Sequence, residues 1–295
     1  MLRFLGTTFA GLLGLAFGSF LNVCLSRWPL GESVVAPRSH CCVCNRTLTW
    51  WENIPLLSWL ALGGRCRTCK TWISVRYPLV EAAVGGLWAI FAWKLLNLSL
   101  EEIVSDNGLS NALLLLLGKM IFLWLLVALA LLDAEHLWLP DKLTYTGTLL
   151  GVAFHLGLIF QNTSNGATFL PHRFDAMEDF CRYFLGILAA AGLILLIRWL
   201  YRLARKREGL GLGDAKLMAL LAAWLGLPGA LLAFFVGVFL GSIAAVVLLL
   251  KPKNEATERW SQIKLPLGTF LSIGGIVSAL WGQTILAAYL RWAGF

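Results

Sequence analysis

The chain has 295 residues, 59% of them hydrophobic and 14% charged, with a mean hydropathy of +0.76. No water-soluble domain of this length hides so much apolar side chain, so disorder, coiled coil and a secreted disulfide scaffold are excluded and an all-α polytopic membrane protein is expected. The formal net charge of +8 then reads as loop charge that orients the membrane spans, with no nucleic acid as partner.

Eight apolar runs read as transmembrane helices: residues 4–25, 78–96, 112–132, 143–161, 180–200, 214–226, 229–250 and 267–290. Arg3 ahead of the first run imitates a signal peptide. The run has the length of a full span, however, and no small-residue cleavage site leads into polar sequence, so it is read as a retained helix. The sixth and seventh runs are separated only by Gly226, Leu227, Pro228 and Gly229, a turn signal that favours a tight helical hairpin over one fused span.

Loop charge tests that count. Segment 26–77 carries Arg27, Arg38, Arg46, Arg65, Arg67, Lys70 and Arg76; segment 201–213 carries Arg202, Arg205, Lys206 and Arg207; segment 251–266 carries Lys251, Lys253, Arg259 and Lys264. Segment 97–111 has Glu101, Glu102 and Asp106 with no Lys or Arg, and 162–179 sets Arg173 against Asp175, Glu178 and Asp179. The excess of Lys and Arg marks the first three loops as cytoplasmic. With eight spans they share one face, whereas fusing the sixth and seventh would separate 201–213 from 251–266.

The first cytoplasmic loop contains Cys41-x-x-Cys44 and Cys66-x-x-Cys69, two pairs separated by the 21 residues 45–65. Each pair presents two thiolates from one tight turn, and two such knuckles complete a tetrahedral sulfur site for structural zinc. A reducing cytosol disfavours the alternative of disulfides. Cys42 competes with Cys41 as a ligand, and the regular spacing favours Cys41. Four protein ligands leave no open position for chemistry, so the metal's expected role is to hold a loop too small for a large apolar core. The chain thus divides into a first helix (1–25), a zinc-ribbon-like insertion (26–77) and a seven-helix remainder (78–295). Cys24 and Cys181 are most simply small buried hydrophobes.

Asp133 closes the third run and Asp214 opens the sixth, just after Gly209-Leu210-Gly211-Leu212-Gly213. Carboxylates at membrane spans are costly and tend to mark a pathway or a site. Between them the chain crosses the membrane twice, so both return to the cytoplasmic face, where they can meet. A pair that shares one proton can activate a water with one member and protonate with the other, as in an aspartic protease. From the residues alone, Asp214 also suits a helix N-cap and Asp133 an interfacial charge, and the pair also suits a cation- or proton-coupled transporter. Glu135, Asp141 and Glu208 read as loop residues that make the mouth acidic. Lys216 either pairs with a carboxylate or reaches phosphate headgroups, with the interface favouring the headgroups. Lys119 and His155, inside apolar runs, are expected to find local partners.

Together these residues resemble the prepilin peptidases, or type IV leader peptidases, of the bacterial inner membrane. The likeness covers nearly the whole chain. It begins with Gly18-Ser19-Phe20-Leu21-Asn22-Val23, Arg27 and Pro29, takes in the two knuckles around Asn53-Ile54-Pro55, and continues with Ser74-Val75-Arg76-Tyr77-Pro78-Leu79-Val80-Glu81. It then includes Asp133 with Leu139-Pro140-Asp141, Gly211-Leu212-Gly213-Asp214-Ala215-Lys216, and Leu265-Pro266-Leu267-Gly268-Thr269-Phe270. Cys42, where proline is usual, and Leu267 and Thr269 in the last motif are departures. The resemblance implies an aspartic endopeptidase, with Asp133 and Asp214 catalytic, that removes the basic leader from prepilins and type II secretion pseudopilins after a glycine. It also implies methylation of the new N-terminus with S-adenosylmethionine.

Overall fold

The computed structural model describes residues 1–98, 108–164, 175–206, 211–250 and 265–294. Glu208 and most of the loop charges outside segment 26–77 lie outside the described residues. The described chain is helical, with isolated β-bridges only. Its helices are α1 (Leu2–Arg27), the short α2 (Leu57–Ala61), α3 (Arg76–Leu98), α4 (Gly108–His136), α5 (Asp141–Ser164), α6 (Asp175–Arg205), α7 (Leu212–Leu250) and α8 (Leu267–Trp292). Six, all but α2 and α5, are long and apolar enough to cross a membrane, and the protein is a membrane protein. The 24 residues of α5 make about 36 Å of helix, also a spanning length.

The chain forms two compact units, residues 1–128 and 129–295, with the boundary inside α4. In the first, α1 packs on α3 through small residues. A Cβ on Gly14 would lie 2.9 Å from the Cα of Gly85, and one on Gly18 2.7 Å from the Cα of Glu81, so only glycine permits this approach of two backbones. Asn22 Nδ2 donates to the carbonyl of Tyr77 at 3.0 Å, and Trp124 Nε1 on α4 donates to Phe17 at 3.1 Å. Past the end of α1, buried Arg27 donates to the carbonyls of Ser33 and Pro37 at 2.8 and 2.7 Å, fixing how the loop departs.

In the second unit α7 is interrupted at Gly226, whose φ of 70° and ψ of 172° belong to a region essentially reserved for glycine. Contacts on either side show a reversal. At one end, Gly213 and Gly268 both pack against Leu139; further along, Gly241 lies against Phe270 and Gly229 against Ser278. A straight helix would separate residues 213 and 241 by about 42 Å, yet both lie next to the first turn of α8. The sixth and seventh spans are therefore the two arms of a hairpin, and among the described residues eight membrane helices result. Trp224 seats the turn end of the first arm on α5, donating from Nε1 to Gly147 at 2.8 Å and stacking on Phe154.

Candidate active site and metal centre

Both sequence-predicted aspartates lie in the second unit, on the apolar stripes of their helices. Phe122, Leu126, Leu129 and Asp133 follow one another at helical spacing along α4, and Asp214, Leu217, Met218 and Leu221 do so along α7; the hydrocarbon members are 0% exposed, Asp133 6% and Asp214 8%. Packing that buries the stripes therefore buries the carboxylates. Leu139, in the short link between α4 and α5, joins the two segments. A Cβ on Gly213 would lie 3.2 Å from its Cβ, and one on Gly268 would lie 2.9 Å from both its Cδ1 and Asp133 Oδ2. The two aspartates are near enough for the charge of Asp133 to act on Asp214. The return of both to one place, expected from two intervening crossings, is what the structure shows.

Their hydrogen bonding differs. Asp133 Oδ2 accepts from the amide of Thr269 at 2.7 Å and faces the Thr269 hydroxyl at 3.3 Å, a hydroxyl that also faces the carbonyl of Ala130 at 3.0 Å. The Gly268 amide is a further donor to Asp133. Asp214 Oδ2 accepts from the Gly211 amide at 3.1 Å. Among the described residues no Lys or Arg forms an ion pair with either aspartate.

The rim departs from expectation at Lys216. It does not reach for headgroups: Nζ bonds Asp141 Oδ1 at 2.6 Å and lies over the Tyr145 ring. Asp141 opens α5 two residues after Leu139, which packs against Gly213 at the start of α7, so its carboxylate comes within reach of Lys216, and the pair offsets part of the acidic mouth. Glu135 stays within α4, 3.9 Å from His136. Lys119 and His155 have local partners as expected, over the Phe122 ring and stacked on Tyr183 respectively.

The first unit assembles the cysteines. The sulfurs of Cys41, Cys44, Cys66 and Cys69 all lie within 4.8 Å of one another, whereas Cys42 is exposed and outside the group. The two knuckles repeat one design. Cys41 N donates to Arg46 and Asn45 N back to Cys41, at 3.0 and 2.9 Å; Cys66 N donates to Thr71 and Lys70 N back to Cys66, at 2.8 and 3.0 Å. Asn45 and Lys70 both take left-handed φ, 52° and 56°, and bridges His40–Thr47 and Arg65–Trp72 close the two turns. Amides of Cys44 and Val43 point at Cys41 and hold its thiol below the ordinary value; those of Cys69 and Thr68 hold Cys66 down to about 6. Donors so aimed favour thiolates at Cys41 and Cys66, the form that binds metal; at Cys69, against the Thr71 amide, burial and the neighbouring cysteines push the thiol up to about 11, and all four sulfurs are close enough to share one ion. The cluster can therefore hold a metal ion.

Two carboxylates carry this loop: Glu52, which sequence reasoning overlooked, and Glu81, which it quoted in a motif without a role. Glu52 takes Arg46 of the first knuckle on Oε1 at 2.5 Å and the amide and hydroxyl of Thr49 on Oε2 at 2.8 and 2.7 Å. The Arg46 guanidinium, aided by Thr49, holds the Glu52 carboxyl down to about 2. Glu81 Oε2 accepts the Leu56 amide at 2.8 Å, tying the start of α2 to α3. The signal for Glu52 was the Thr49-x-x-Glu52 spacing of a capping box.

The fold and the two sites define a polytopic membrane protein with a paired-aspartate centre and a separate four-cysteine module. Residues 12–95 match the bacterial peptidase A24 N-terminal domain and residues 120–246 the type IV leader peptidase family. The prepilin leader peptidase/N-methyltransferase of Stutzerimonas stutzeri is 33% identical over 306 residues, covering 95% of this chain and 92% of the relative. The protein of the same name from Pseudomonas aeruginosa is 34% identical, covering 96% and 93%, and that from Myxococcus xanthus 36% identical, covering 85% and 67%. No solved structure matches. The chain belongs to the type IV leader peptidase family.

Proposed function

We propose that this protein is a membrane aspartic endopeptidase that removes the leader of prepilins, and of type II secretion pseudopilins, at the cytoplasmic face of the inner membrane. The observation that carries the reading is the meeting of Asp133 and Asp214, both buried, on helices that the chain links by two crossings. Two facing carboxylates hold one proton between them. The ionised member takes a proton from a water as it attacks the scissile carbonyl, and the protonated member gives its proton to the carbonyl oxygen; as the adduct collapses, the member that took the water's proton passes it to the leaving amine and the other takes a hydroxyl proton back. A prepilin carries a basic leader followed by an apolar helix, so its cleavage bond lies at the membrane surface. The loop charges support a cytoplasmic orientation for this site and for the cysteine module. Family membership sets aside the transporter reading.

The metal of the cysteine module is read as zinc, held by Cys41, Cys44, Cys66 and Cys69 in the insertion 26–77. Bound there it supplies folding energy to a loop with few buried apolar residues. The methylation half of the proposal rests on the relatives' names, and S-adenosylmethionine is then a second substrate consumed in methylating the new N-terminus.

The test is incubation of purified protein in liposomes with a prepilin, followed by mass measurement of the product. Loss of the leader supports the reading, and an additional methyl mass after adding S-adenosylmethionine supports the second activity. An intact prepilin in the presence of folded protein contradicts it.

A further inference from the structure

We propose that Thr269 is a positioning residue that makes the aspartate pair asymmetric, holding Asp133 as the ionised base and leaving Asp214 as the member that carries the proton. The inference rests on the reading of Asp133 and Asp214 as the catalytic pair.

The two carboxylates are buried to a similar extent, so burial does not distinguish them. Their donors do. Asp133 Oδ2 lies at the N-terminus of α8, where the Thr269 amide donates at 2.7 Å, the Thr269 hydroxyl stands at 3.3 Å and the Gly268 amide is also aimed at the carboxylate. Unsatisfied amides of a helix's first turn favour negative charge. The hydroxyl has one proton and two acceptors, Ala130 and Asp133; a charged acceptor draws it more strongly than a carbonyl. Among the described residues Asp214 has one donor, Gly211 N at 3.1 Å. Of two carboxylates sharing one proton, the better-donated one holds the charge. Among the described residues, the titratable groups on the segments that carry the pair are Glu135 and His136 at the end of α4, Asp141 at the start of α5 and Lys216 on α7. Lys216 is engaged with Asp141, and the first turn of α8 brings none. Ionised Asp133 takes the proton of the attacking water, and the proton of Asp214 goes to the carbonyl oxygen, so the charges of the pair exchange as the tetrahedral adduct forms.

The test is the pH profile of kcat/KM for prepilin cleavage by wild type, Thr269→Val and Thr269→Ser. Valine keeps the shape and the amide and removes only the hydroxyl. The acidic limb, which reports the base becoming ionised, is expected to move up by about half to one pH unit, a three- to tenfold loss at pH values below the limb with little change on the plateau, while serine restores it and the basic limb stays. A Thr269→Val profile that overlays wild type, or one that moves the basic limb, overturns the assignment. Asp133→Asn in the same series separates this failure from failure of the catalytic reading: cleavage by that folded variant removes the pair itself, whereas its inactivity beside an unaltered valine profile removes only the role of Thr269.

Discussion

The two units solve the problem of holding polar side chains in opposite ways. In the second, Asp133 and Asp214 sit on the apolar stripes of long helices, and their neighbours are leucine, glycine and a few backbone amides. In the first, the cysteine module has short turns, and its polar groups are held by each other: Arg46 by Glu52, Glu52 by Thr49, and the thiols by knuckle amides. Helix packing positions the carboxylates, whereas the cysteines form a cluster that can hold a metal ion. Damage to helix packing near the aspartates should therefore be felt in turnover, and damage to the module in metal content and local stability.

The largest expected effect is at the pair itself. Asp133→Asn or Asp214→Asn should lower prepilin cleavage by on the order of 10³- to 10⁴-fold without altering metal content, measured as initial rates in liposomes with folding checked by circular dichroism. Next is Gly268→Ala. Its methyl would sit 2.9 Å from both Asp133 Oδ2 and Leu139 Cδ1, so the carboxylate must shift, and kcat/KM should fall by about 10². An alanine variant with wild-type turnover would show that the site is looser than its packing implies.

Cys66→Ser reverses the pattern: bound metal, about one ion per chain by elemental analysis, should be lost and the segment 41–69 should become sensitive to proteolysis. Cleavage should fall by less than about tenfold, because the aspartates belong to a different compact unit from the cysteines. A loss as deep as that of the aspartate variants would erase the comparison.

The smallest effect concerns Glu52. Its carboxyl is held down to about 2 by Arg46, against an ordinary value of 4.5, so its stabilisation is fully present above about 4.5 and is lost as pH falls through 2. Glu52→Gln should destabilise the module at pH 6, and the difference from wild type should shrink as pH falls below 4.5, as read by denaturant unfolding monitored at the module's tryptophans. A difference that stays constant over that range would remove the ion pair from the account.

Much of this was legible in the sequence because membrane helices advertise themselves by length and by the charge of their loops. The hairpin could be read from Gly226 and Pro228, and the meeting of the aspartates followed from counting crossings between them. The cysteine group was legible from spacing alone, and the structure leaves Cys42 outside it. Less legible were partners set by side-chain reach and by segments far apart in the chain. Lys216 finds Asp141 across 75 positions, and Thr269 finds Asp133 across 136; no local pattern encodes either distance. Leu139 entered the sequence reading only within the Leu139-Pro140-Asp141 motif of the resemblance, and the close approach of Gly213 and Gly268 shows it to be the wedge between the two aspartate segments.

The central claim is that Asp133 and Asp214 act as one unit on one bond, and the most direct measurement compares leader removal by Asp133→Asn, Asp214→Asn and the double variant in the same liposomes. Residues acting as a unit are strongly non-additive, so the double variant should cleave within about threefold of either single. Losses that multiply in the double variant, or substantial cleavage by either folded single variant, would contradict it.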